Sequence, residues 1–208
     1  MRSSSETVYS RRDVALAIGL GLVLGSLFLL YGRINHGPAR WSARTPIDDL
    51  VPLVVPAVVP YVSIYALAAV TVVVLGRRSP RLLSGALVAA ILALVASYLV
   101  YVVAQTTVPR PTVTGDDPLA QLLRVVYAAD KPYNAFPSLH VAFSTILGIY
   151  WLRSGHRLGP WIVAWCGLIA ASTLLVHQHY IADVVGGVVV GGTASLVSRR
   201  MIGSRSHG

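Results

Sequence analysis

Residues 83–104 read LSGALVAAILALVASYLVYVVA, a run with no charged side chain. As an α-helix it extends about 33 Å at 1.5 Å per residue, enough to cross the hydrocarbon core of a bilayer. Arg77, Arg78 and Arg81 bound it on one side and Arg110 on the other. Outward from it lie five more apolar stretches, at about 14–31, 57–76, 139–153, 160–177 and 180–198. The pattern predicts an all-α fold, an integral membrane bundle of six transmembrane helices. Pro52, Pro56 and Pro60 disfavour a straight helix before 57, so 46–56 is expected as an interfacial or re-entrant lead into the second span.

Composition supports this. Of 208 residues, 55% are hydrophobic and 12% charged, against about 25% charged in soluble domains. The net charge of +9 would suit nucleic acid. The basic residues instead sit in short segments between apolar runs and form no stripe, so the bilayer is the expected partner and nucleic acid is not. Cys166, the single cysteine, lies inside an apolar run and excludes an internal disulfide. The first run follows Arg11 and Arg12 and imitates a signal peptide. Its length of about 18 exceeds the usual 7–15 apolar residues, so a retained span is expected.

Lys and Arg concentrate in cytoplasmic loops. With six spans, Arg2, Arg11, Arg12, Arg77, Arg78, Arg81, Arg153, Arg157, Arg199, Arg200 and Arg205 share one side, 11 of the 17 basic residues. Both termini are therefore expected in the cytoplasm, and loops 32–56 and 105–138 outside. Gly21-x-x-x-Gly25 and Gly187-x-x-x-Gly191 permit close helix packing.

Three polar segments, distant in sequence, converge on the outer face under this topology. They are Arg110-Pro111, Pro137-Ser138-Leu139-His140 and His177-Gln178-His179-Tyr180-Ile181-Ala182-Asp183. Ser138 is a good N-cap, and the helix start that it opens suits an anion, with His140 in the first turn. His179 and Asp183 are four apart and share a helix face. There a carboxylate can hold one imidazole nitrogen and leave the other free to attack. Taken singly, each segment also reads as plain structure, a capped helix or a polar pair. A metal site built from His177, His179, Asp183 and His140 is a further alternative, although residues at i and i+2 do not share a helix face. Asp116-Asp117 after Gly115 reads as a solvated turn.

These motifs resemble the type 2 phosphatidic acid phosphatase superfamily, which shares its core with vanadium haloperoxidases. That family carries Lys-x6-Arg-Pro, Pro-Ser-Gly-His and Ser-Arg-x5-His-x3-Asp. Here the second motif reads Pro137-Ser138-Leu139-His140, and the third reads Ser172-Thr173, five residues, His179, three residues, Asp183. The first is reduced to Arg110-Pro111, with Val103 where lysine would stand. The run 132–140 and the segment 177–180 look closest to the inositol phosphorylceramide synthase-like branch.

The resemblance implies a lipid phosphatase or phosphotransferase with a lipid phosphate as substrate, and neither cofactor nor metal. His179 would attack phosphorus, Asp183 would orient it, and His140 would protonate the leaving oxygen. Phosphate binding would fall to Arg110, Ser138, Leu139 and Lys131, with Lys131 or Arg124 as replacements for the cations lost at Val103 and Thr173. The organisation then reads as a cytoplasmic segment 1–13, a membrane domain 14–198 with its catalytic core at about 46–198, and a basic cytoplasmic tail 199–208. The expected site lies on the extracytoplasmic face of the plasma (inner) membrane. The leading expectation is hydrolysis of a polyprenyl phosphate, a phosphatidate or a related phospholipid. The alternatives are head-group transfer between lipids and a non-enzymatic transporter or scaffold. Nearly apolar interiors in the first three spans count against transport.

Overall fold

The computed structural model describes residues 10–39 and 41–203. Arg2, Arg40 and Arg205, and with them residues 1–9 of the expected N-terminal segment and 204–208 of the expected tail, lie outside the described residues. The elements are α1 (Arg11–Ile34), α2 (Val58–Arg78), α3 (Pro80–Val103), α4 (Pro118–Ala129), α5 (Leu139–Arg153), α6 (Gly159–Leu175) and α7 (Ile181–Gly203). Two short 3-10 turns, Asp48–Leu50 and Val55–Ala57, precede α2. No strand occurs among the described residues.

Local chemistry sets the boundaries. Ser79 ends α2 and caps α3, its Oγ accepting the Leu82 N–H at 3.2 Å, with Pro80 in the first turn where a missing N–H costs nothing. Four helices are long and apolar enough to span a membrane: Arg11–Ile34, Val55–Arg78, Pro80–Val103 and Ile181–Ile202. The other two apolar helices, α5 with 15 residues and α6 with 17, fall short of the roughly 20 that a simple span requires.

The helices pack as α1 on α3, α3 on α7, and α5 between α6 and α7. Close approach of α7 to α5 depends on glycine. A Cβ at Gly187 would stand 2.6 Å from the Ser138 carbonyl oxygen, and one at Gly191 would collide with that of Ala142. The expected packing role of this pair therefore holds. A Cβ at Gly21 or Gly25 would meet nothing within 4 Å, so no close helix contact depends on that pair among the described residues. Trp151 donates from Nε1 to Thr71 Oγ1 at 2.7 Å, and Tyr150 and Ser198 share a 2.6 Å hydrogen bond, giving buried polar side chains in α2, α5 and α7 partners inside the bundle.

The loops at the opposite end of the bundle differ from a simple connection. Residues 118–129, expected as loop, form α4. Asp117 caps it by accepting from the Leu119 and Ala120 N–H groups, so this half of the expected solvated turn is a helix cap. The 46–56 segment lies against the end of α6, where the Val54 N–H donates to the Leu175 carbonyl at 2.8 Å.

Candidate active site

The site begins where α6 stops. His177 adopts φ 48°, the Gln178 N–H reaches back to the Thr173 carbonyl, and the His177 N–H reaches that of Leu174. This is a Schellman ending, with a histidine in the left-handed position usually given to glycine. It reverses the chain and presents His179, whose N–H also bonds the Thr173 carbonyl at 3.2 Å. Two side chains fix the reversal from outside. Arg110 donates from Nη1 to the His177 carbonyl at 2.7 Å, and the Tyr127 hydroxyl donates to the Val176 carbonyl at 2.7 Å.

Asp183 stands in the first turn of α7 and is fully buried. Its Oδ2 accepts the Tyr180 N–H at 2.8 Å, the carboxylate half of a capping box. The same oxygen lies 3.6 Å from His179 Nδ1, close enough for an ion pair and slightly too far for a hydrogen bond. Asp183 Oδ1 and His179 Nδ1 are both buried without a hydrogen-bond partner. The ring and the carboxylate are thus brought together without a hydrogen bond between them. The Asp183 carbonyl accepts the Ser138 N–H at 3.0 Å, which ties the start of α7 to the start of α5.

Ser138 caps α5, its Oγ accepting the Val141 N–H at 3.3 Å. That leaves the N–H groups of Leu139 and His140 at the open first turn. The approach to Ser138 is held by α3 and the residues after it. Tyr101 donates to the Pro137 carbonyl at 2.6 Å, and Thr106 Oγ1 accepts the Phe136 N–H at 2.7 Å. His140 stacks on Tyr61, with centroids 4.1 Å apart and 13° between planes, and its Nε2 is buried without a partner.

Two cavities meet this centre. One of about 330 Å³ is polar, lined by Arg44, Asp48, Asp49, Arg110, His177 and His179 among others. The other, about 600 Å³, is apolar and reaches His140 and Leu139 from between α1, α2, α3 and α5. Arg110 is largely enclosed and lies 5.4 Å over the Tyr127 ring, and its Nε has no partner. Burial pulls its pKa below the ordinary guanidinium value, while the charge of Asp130 pushes back.

The remaining sequence candidates lie elsewhere. Lys131 is exposed and lines neither cavity. Arg124 donates to the Val113 and Gly115 carbonyls and pairs with Asp116 at 3.8 Å. Val103 is 84% exposed at the end of α3, so this position does not face the site. Thr173 is buried and acts through its carbonyl. Among the described residues no group of three or more His, Cys, Asp or Glu side chains converges as a metal site, and the His177 ring lies 3.1 Å from the Val51 carbonyl.

Three residues have places that sequence reasoning missed. Asp48 Oδ1 accepts the Ile181 N–H at 2.8 Å, while its Oδ2 accepts from the Thr45 N–H and hydroxyl at 2.7 Å each. Burial alone would raise its pKa, but these hydrogen bonds and the nearby Arg44 hold it below the ordinary value. Arg44, paired with Asp49, puts a second guanidinium on the polar cavity. Gln178 is buried with both amide atoms unpartnered. Arg44 and Asp48 carried only their place in an outer loop as a signal, and Gln178 only its place between two candidate histidines; the bond of Asp48 to Ile181 joins segments far apart in sequence.

A family model described as the PAP2 superfamily matches residues 36–197. No curated protein sequence matches the chain, and no solved structure does.

Proposed function

Because the chain belongs to the PAP2 superfamily, whose members act as phosphatases or phosphotransferases on phosphorylated substrates, we propose that it hydrolyses a lipid phosphate through a phosphohistidine. One observation carries this reading. His179, backed by buried Asp183, lines a polar cavity, and His140, on the helix start that the Ser138 N–H ties to the Asp183 carbonyl, lines an apolar one.

In the proposed reaction the lipid tail lies in the apolar cavity and the phosphoryl group in the polar one. His179 Nε2 attacks phosphorus as the bond to the lipid oxygen breaks, and protonated His140 gives that oxygen its proton. Asp183 supports the positive charge left on His179. Arg110, Arg44 and the first-turn N–H groups of α5 stabilise the phosphoryl oxygens. Water then attacks the phosphohistidine, His140 takes its proton, and phosphate leaves. Six membrane-crossing helices fit this reading, with α5 and α6 as short spans and the site at the outer face of the plasma membrane. A cysteine at Asp116 is then expected to react with an impermeant thiol reagent in intact cells. Labelling only after lysis would reverse the orientation.

The likeness of 132–140 to the inositol phosphorylceramide synthase-like branch supports a second reading, in which an alcohol replaces water. The full chain in detergent, given a panel of lipid phosphates with and without inositol or diacylglycerol, separates the two. Free phosphate independent of acceptor supports hydrolysis. A new phosphodiester that forms only with acceptor supports transfer, and no turnover of any lipid would end both.

A further inference from the structure

Segment 41–51 crosses the end of the bundle that carries the site. The Trp41 carbonyl accepts the Thr107 N–H at 3.0 Å just beyond α3, and Asp48 Oδ1 accepts the Ile181 N–H at the start of α7. The segment also walls the polar cavity, to which it gives Arg44, Asp48, Asp49 and Val51.

Its other side is apolar and uncovered. Ile47 and Leu50 flank the 3-10 turn at a spacing that puts two side chains on one edge. Asp48, between them, is buried, whereas Ile47 is 62% and Leu50 is 80% exposed. Trp41, at the other end of the segment, is 63% exposed. One exposed apolar residue is ordinary, but a turn with its carboxylate inside and its two large apolar groups outside inverts the arrangement suited to water. The charges beside that edge offset each other, because Arg44 pairs with Asp49.

The position of the edge says what covers it. Next to Trp41, the span α3 ends on the exposed Val102 and Val103. Leu50 shortly precedes Val55, where the next span begins. Val185, one turn after Ile181 on the same face of α7, is exposed as well. The apolar edge thus continues the lipid-facing surface of the spans, at the level where tryptophan concentrates in membrane proteins. Its occupant is a lipid surface.

We propose that Trp41, Ile47 and Leu50 insert into the membrane interface at the site end, so that the leaflet braces the wall of the polar cavity and lipid phosphates enter it from the head-group layer. The insertion stands on the geometry of the segment. Its effect on substrate capture rests on the lipid phosphatase reading.

The test uses full-length protein in nanodiscs of equal parts phosphatidylcholine and phosphatidylglycerol. Buried Cys166 is replaced by Ala, and a nitroxide is attached to Ile47→Cys or Leu50→Cys. Val189→Cys, on the exposed face of α7, gives the lipid reference, and exposed Asp116→Cys gives the aqueous one. Collisions with oxygen, which concentrates in lipid, are compared with those of a water-soluble nickel chelate. Both loop positions should favour oxygen, with a ratio at least threefold above that of Asp116→Cys. A ratio equal to the aqueous reference overturns the insertion. Shielding from both reagents would mean that protein covers the edge, and overturns it too. In the same nanodiscs, the double variant Ile47→Ser with Leu50→Ser should lower kcat/KM for phosphatidate at least tenfold, since each such side chain shifts partitioning from water by about tenfold or more. On p-nitrophenyl phosphate, which arrives from water, the change should stay under twofold. Equal loss on both substrates would mean that the two side chains only hold the cavity wall, and overturns the role in capture. If wild type cleaves neither substrate, the phosphatase reading fails, and the nitroxide comparison alone decides the insertion.

Discussion

The two histidines of the site stand in opposite surroundings. His179 sits on a reversed chain held by backbone bonds to Thr173, by Arg110 acting through the His177 carbonyl and by Asp48 on the next residue but one, Ile181. It faces a polar cavity and has a buried carboxylate behind it. His140 lies flat on Tyr61, meets Tyr65 edge-on at 6.0 Å and faces an apolar cavity. A nucleophile needs a fixed ring, a partner for its developing charge and access to phosphate. An acid for a lipid leaving group needs to stand at the lipid side. The difference in surroundings supports the two roles that we propose, and it can be broken at several points.

The largest effect is expected at His179. Replacement by Ala should abolish turnover and any acid-labile, base-stable phosphoenzyme trapped by rapid quench. Near-normal activity in a folded variant would remove His179 from the role of nucleophile. Asp183→Asn should follow, with a loss of roughly three to four orders of magnitude in kcat, as when a triad carboxylate is neutralised. Asn can still accept the Tyr180 N–H, so the helix start should survive, and circular dichroism should match wild type.

His140→Ala sharpens the contrast. Loss of the acid should cost about 10²- to 10⁴-fold on alkyl phosphates. On p-nitrophenyl phosphate, whose leaving group needs no proton, much of the rate should return. Recovery of His179→Ala instead of His140→Ala on that substrate would mean the two roles are reversed. Arg110→Lys should be milder. It keeps the charge but loses the fork that reaches the His177 carbonyl. A charge-assisted hydrogen bond of about 1.5–3 kcal/mol corresponds to roughly a 10- to 150-fold fall in kcat/KM.

Much of this was legible in the sequence, for stated physical reasons. Uncharged runs of span length announced the helices, and 139–153 agrees with the α5 bounds because Ser138 and Arg153 mark both ends. The α6 end was set two residues late. A Schellman ending normally advertises itself by glycine, and here His177 takes that position. Helix α4 went unseen because it is short and amphipathic, although Asp117-Pro118 followed by Leu119, Leu122, Leu123 and Val126 carries a cap and an apolar face. The candidate triad His140, His179 and Asp183 came from local spacing. The bond between Asp48 and Ile181 joins segments distant in sequence, which no local pattern contains.

Asp48 offers the smallest and most specific perturbation. Its carboxylate serves Ile181 at the start of α7 and Thr45 in its own turn. Replacing it by Ala removes a cap-like bond, an expected cost of about 1 kcal/mol, and loosens the turn that presents His179, with an expected several-fold loss of kcat. The pH dependence separates charge from shape. The folded pKa of Asp48 lies below its unfolded value of about 4. Its contribution is therefore complete above that value and is lost as pH falls through the folded pKa. Asp48→Asn retains the size of the side chain without the titration. The melting-temperature difference between wild type and Asp48→Asn, followed by circular dichroism in detergent, should be constant from pH 8 to 5 and shrink below about pH 4. A difference that stays constant through that acid range would mean that Asp48 supports α7 by its shape alone.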